Sequence, residues 1–154
     1  MRRLIDLVRL ALVSPELVAV LLPVLAWQYQ PEWVSILVKP MKESLVFGLG
    51  AAGLALGAST FCYKEGGDIL EPSGARAVLL EWPGYYMLKA RVVAALVWCA
   101  TSIGAALVAT WMVASDINPQ LGATVLVAAV LAAAAATGSI ALARYRIREL
   151  VPGK

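Results

Sequence analysis

The sequence has no histidine, only two cysteines, and charged residues at just 15% of its length. Each shortage removes a class of protein. With no His, and with Cys62 and Cys99 both inside apolar runs, a Cys/His metal site or a disulfide framework has almost no material. The two thiols read instead as buried small hydrophobes. No Gly-x-Ser-x-Gly, P-loop, zinc or dinucleotide signature occurs. A catalytic acid, base and nucleophile cannot be assembled from what remains, so the expectation is a protein that is not an enzyme and carries no cofactor.

What is present is apolar. Hydrophobic residues make up 61% of the 154 positions and the mean hydropathy is +0.79, which points to an integral membrane protein rather than one soluble domain. The net charge of +3 and pI near 9.0 then report on topology and anionic lipid before they report on nucleic acid. The basic start MRRLIDLVRLALV resembles a signal peptide, but no small-x-small cleavage site follows and Pro23 and Trp27 stand where one is needed, so the segment reads as retained.

Three stretches are free of charge and long enough to span: 44–63, 92–115 and 117–143. The connector SDINPQ has no Lys or Arg, whereas the tail 144–154 carries Arg144, Arg146, Arg148 and Lys154, which places the tail in the cytoplasm and the connector outside. The loop 64–91, with Lys64, Arg76, Lys89 and Arg91, is then cytoplasmic too. A fourth span at 10–29 keeps Arg2, Arg3 and Arg9 inside. Of the 13 basic residues only Lys39 and Lys42 then lie outside, leaving 11 inside; without that span the division is 8 to 5. The first division obeys the positive-inside rule better, and Trp27, Tyr29 and Trp33 supply an outer aromatic belt. The expected fold is therefore an all-α integral membrane protein, a single transmembrane domain over 1–154 with four transmembrane helices and both termini cytoplasmic.

Two Pro-Glu pairs mark helix starts. Ser14-Pro15-Glu16 reads as an N-cap, a proline at the first helical position and an acid facing the positive end of the dipole. Pro15 thus breaks or bends the first span, after a short amphipathic N-terminal helix on the cytoplasmic interface. Glu16 then acts as an interfacial cap rather than a midplane proton site. Pro31-Glu32 starts a short external helix, PEWVSILV, that Lys39-Pro40 should end. In the loop, Gly66-Gly67 and Pro72-Ser73-Gly74 read as turns and ARAVLLEW as a further amphipathic helix, stopped at Pro83-Gly84.

Small residues suggest packing surfaces. Gly50, Gly53, Gly57 and Thr60 share one face of the second span, Gly48, Ala52, Ala55 and Ser59 a neighbouring one, and Gly104 with Ala100 and Ala105 mark the third. Lipid gives helices no hydrophobic reason to associate, so small residues help by allowing close backbone approach. Two such faces imply a homo-oligomer. The serine and threonine hydroxyls inside the spans are expected to bond back to their own helices. Arg76, Lys89, Arg91, Arg144, Arg146 and Arg148, with Tyr145 able to stack, form the candidate surface for an anionic nucleotide-like or oligonucleotide ligand; topogenic charge and contact with membrane lipids explain the same residues more simply. The acids Glu65, Asp68, Glu71 and Glu81 equally suit a cytoplasmic protein partner.

In this general architecture the chain resembles the small multi-span membrane effectors of bacterial antiphage systems. The resemblance implies location in a bacterial inner membrane, a ring of protomers around a pore, gating through the cytoplasmic loop and tail, and a cytoplasmic partner or signal. The alternative from the same residues is a non-conducting membrane anchor or immunity subunit that binds a soluble partner.

Overall fold

In the computed structural model, which describes residues 14–70 and 84–150, every element is a helix: α1 (Pro15–Tyr29), α2 (Glu32–Glu43), α3 (Leu45–Leu70), α4 (Tyr85–Ala114) and α5 (Pro119–Leu150). Three of them, over Val46–Ile69, Tyr85–Ala114 and Pro119–Arg146, are long and apolar enough to cross a membrane. At 1.5 Å per residue the 15-residue α1 reaches only about 22 Å, short of a hydrocarbon core of about 30 Å. The N-terminal and loop amphipathic helices expected from the sequence lie outside the described residues.

Local chemistry sets the helix ends. The Ser14 Oγ accepts from the Leu17 N–H at 3.2 Å, Pro15 occupies the first turn and Glu16 follows it, so α1 begins where the Ser-Pro-Glu signature puts it. The expected stop at Lys39-Pro40 is overturned. Pro40 sits inside α2, which runs on to Glu43 and ends at the extended Ser44. A proline there forfeits one N–H donor. The turn it interrupts is held by tertiary packing, because Val34 and Met41 on the same helix are buried against the ends of α3, α4 and α5.

The Gly66-Gly67 turn is also overturned. α3 continues helical to Leu70 and α4 is already formed at Tyr85, so the segment 64–91 is helical at both ends. Gly66 is buried where a Cβ would stand 2.8 Å from Val92 Cγ1; its lack of a side chain lets α3 approach α4. A tight turn at Ser115–Asn118 connects α4 to α5, with Asp116 and Asn118 at φ of 58° and 51°, a left-handed conformation these residue types tolerate. Asn118 Oδ1 accepts from the Leu121 N–H at 3.3 Å and caps α5.

The hairpin makes α4 and α5 antiparallel. Contacts at Gly48–Thr110 and Gly66–Val92 make α3 antiparallel to α4. α5 is the central helix, touching α1, α2, α3 and α4. A helix surrounded on most sides needs small side chains, and Ala123, Ala128, Ala129, Ala132, Ala133 and Ala136 are all buried. α1 leans on α5 and leaves Val18, Leu21, Leu22 and Leu25 exposed, surface that suits lipid. α2 lies across the end of the bundle that holds the α4–α5 turn, where Lys42 Nζ pairs with Asp116 Oδ1 at 2.6 Å.

Candidate functional site

The two buried acids lie in the half of the bundle away from α2. Glu16, at the first turn of α1, is 4% exposed and accepts a hydrogen bond from the Ser139 Oγ of α5 at 2.9 Å. Ser139 is itself buried. Six other hydroxyls of the long helices behave as anticipated: Ser59, Thr60, Thr101, Thr110, Thr124 and Thr137 each donate to a carbonyl of their own helix one turn back. Ser139 departs from that pattern by reaching another helix. Closer to the end of the bundle, Glu65 of α3, also buried, forms an ion pair with Arg144 of α5. Two acids thus fasten α1 and α3 to the same stretch of α5.

Between these contacts and the middle of the bundle lie the thiols. Cys62 and Cys99 are free and wholly buried in one cluster with Val92, Ala95, Ala136 and Ile140. Among the described residues no three His, Cys, Asp or Glu side chains come together to hold a metal ion. A shallow groove opens at the other end, at the α1–α2 turn, lined by Tyr29, Gln30, Pro31, Glu32, Trp33 and Ile36.

The expected basic surface is only partly assembled. Because α4 and α5 are antiparallel, Lys89 and Arg91 at the start of α4 share one end of the bundle with Arg144 and Arg146 on the last turns of α5. Lys89, Arg91, Tyr145 and Arg146 are exposed, whereas Arg144 is engaged by Glu65. Arg148 lies on the final turn of α5. Arg76 falls outside the described residues.

The two small-residue faces of α3 separate cleanly. Gly48, Ala52 and Ala55 are buried, and a Cβ on Gly48 would stand 2.5 Å from Thr110 Cγ2. Gly50, Gly53 and Gly57 are exposed, and a Cβ added to any of them would meet nothing within 4 Å; Gly104 of α4 is the same. Among the described residues, those four glycines therefore have no side chain packed over them.

Sequence alone reads Glu16 as an interfacial cap and misses its burial. The residue keeps the first-turn position, but its oxygen is held by a residue 123 positions away, for which a linear pattern gives no signal. The role of Glu65 is hidden for the same reason, its partner being on another helix.

Over the described residues, fold and site define an all-helical bundle with three helices long and apolar enough to cross a membrane, in which buried acids fasten α1 and α3 to α5. The chain matches no protein-family model, no curated protein and no solved structure.

Proposed function

We propose that the chain is the subunit of a homo-oligomeric membrane channel or pore-type effector. The observation that carries this reading is the open face of Gly50, Gly53 and Gly57 on α3. Three glycines within two turns present bare backbone to the outside of the protomer, the surface against which a second helix gains dispersion contact at close range. The interior between α3, α4 and α5 is occupied by buried alanines together with Cys62, Val92, Cys99 and Ile140, so in this reading a conducting path runs between protomers rather than through one. In this reading the end carrying Lys89, Arg91, Tyr145 and Arg146 faces the cytoplasm of a bacterium. There it receives a partner or an anionic, nucleotide-like signal, and the biological setting is antiphage defence.

The same exposed basic end favours a second reading, a non-conducting anchor or immunity subunit that binds a soluble partner there. Native mass spectrometry in mild detergent, combined with membrane potential in cells expressing the protein with its partner, separates the two. The channel reading expects a defined oligomer that Gly53→Leu and Gly57→Leu dissociate, and depolarisation that both substitutions abolish. Unchanged stoichiometry in both variants removes the α3 face from assembly. An intact oligomer that never depolarises cells favours the anchor.

A further inference from the structure

The sequence has two cysteines, 37 positions apart, and the fold brings their sulfurs to 3.4 Å, with the Cys99 thiol donating to Cys62 Sγ. Both side chains are 0% exposed. The contact sits on the α3–α4 seam between two close approaches, Gly48 against Thr110 on one side and Gly66 against Val92 on the other. The seam holds the two helices near each other at the thiols as well. Thr137 Oγ1 of α5 lies 3.8 Å from Cys62 Sγ and backs the pair from the third helix. A disulfide requires sulfurs at about 2.05 Å, so the gap of 3.4 Å closes by only about 1.4 Å.

We propose that Cys62 and Cys99 are a membrane-interior dithiol that a lipid-soluble quinone oxidises to an intramolecular disulfide, latching α3 to α4. The balance is complete with that one co-reactant. The two S–H bonds break, one S–S bond forms, and the two protons and two electrons pass to the quinone oxygens to give the quinol. The surroundings select the oxidant. Both thiols are fully buried, so an oxidant reaches them only where the α3–α4 seam parts, and the walls there are Val92, Ala95, Ala136 and Ile140 inside helices that suit a bilayer: a charged aqueous oxidant meets the cost of leaving water and an uncharged quinone does not. Joining the helices at this level restricts sliding of α3 along α4, and with it movement of the face of Gly50, Gly53 and Gly57 along the bundle.

The test uses the full chain reconstituted in phospholipid vesicles and treated with duroquinone, whose four non-carbonyl ring carbons all carry methyl groups, which disfavours alkylation of thiols. The expected result is about one duroquinol per chain, by the two-electron balance of dithiol oxidation, and an intact mass lower by two hydrogens. Non-reducing digestion should join the peptides carrying Cys62 and Cys99. Oxidised glutathione outside the vesicles should leave both thiols free. Cys62→Ala and Cys99→Ala should each abolish quinol formation; if either fails to fold, the peptide map of the wild-type chain decides alone. Free thiols after quinone treatment, cross-links between chains, or equal oxidation by glutathione would each overturn the proposal.

Discussion

Glu16 occupies two environments at once. As the second residue of α1 it meets the exposed N–H groups and positive end of the helix dipole, and as a side chain it is buried against α5 with Ser139 as donor. The first role is legible in the sequence, because Ser-Pro-Glu is a local signature. The second is not, because it depends on which helix α1 lies against. The two roles make separable demands. Ser139→Ala leaves a buried carboxyl oxygen without its hydroxyl donor and should cost about 1–3 kcal/mol of stability. Glu16→Gln keeps an acceptor oxygen in place and should cost less. The double substitution Glu16→Leu with Ser139→Ala removes both polar groups and should recover most of the loss of Ser139→Ala. Denaturant titration in mild micelles measures all three, and a double variant no more stable than Ser139→Ala would show that the hydrogen bond is not what fastens α1.

At the scale of helices, the bundle is organised by where glycine is needed and where it is merely present. Gly122 of α5 stands where a Cβ would meet Val113 Cγ2 at 2.7 Å and the Ala109 carbonyl oxygen at 3.0 Å, and the second of these cannot move without shifting the α4 backbone. A Cβ on Gly53 of α3 would meet nothing within 4 Å. Gly122→Ala should therefore destabilise the protomer by about 1–3 kcal/mol, the range for overpacking. Gly53→Ala should leave the protomer unharmed or more stable by up to about 1 kcal/mol, since alanine is the better helix former. Unfolding of both variants under monomeric detergent conditions checks the contrast, and a costly Gly53→Ala would mean that its face is already covered. The same distinction explains what the sequence hides. The apolar runs and the start of α1 are readable because length, hydropathy and capping are local properties. Gly66-Gly67 reads as a turn because paired glycines usually are one; that Gly66 instead admits Val92 is a fact about a neighbouring helix. Pro40 reads as a stop because its lost N–H is local, whereas the burial of Val34 and Met41 that holds α2 together is not. Of the candidate site, the types and rough positions of the basic residues are visible in the sequence, but the pairing of Arg144 with Glu65 is not.

For the molecule as a whole, the number of spans turns on α1. Its first turn contacts Ser139 in the second half of α5, while Trp27, close to its last turn, packs with the cluster of Val34, Val113 and Leu126 near the start of α5. α1 therefore runs antiparallel to α5 along part of its length. If α1 is the fourth span, its length of about 22 Å starts it inside a hydrocarbon core of about 30 Å, with Glu16 at that depth held by Ser139. The turn after it leads to α2, whose Lys42 pairs with Asp116 in the α4–α5 connection, so Gln30, α2 and Asp116 belong to one end of the molecule. If the basic end faces the cytoplasm, as the positive-inside rule requires, then Gln30 and Asp116 face the opposite compartment together. Gln30→Cys or Asp116→Cys, in a chain with Cys62 and Cys99 replaced by alanine, should react with a membrane-impermeant maleimide from that compartment. Arg146→Cys should react only after the membrane is permeabilised. Labelling of Gln30→Cys and Asp116→Cys from opposite sides would break the antiparallel arrangement of α1 and α5. Labelling of both from the same side as Arg146→Cys would mean that α4 and α5 do not cross the membrane as a hairpin.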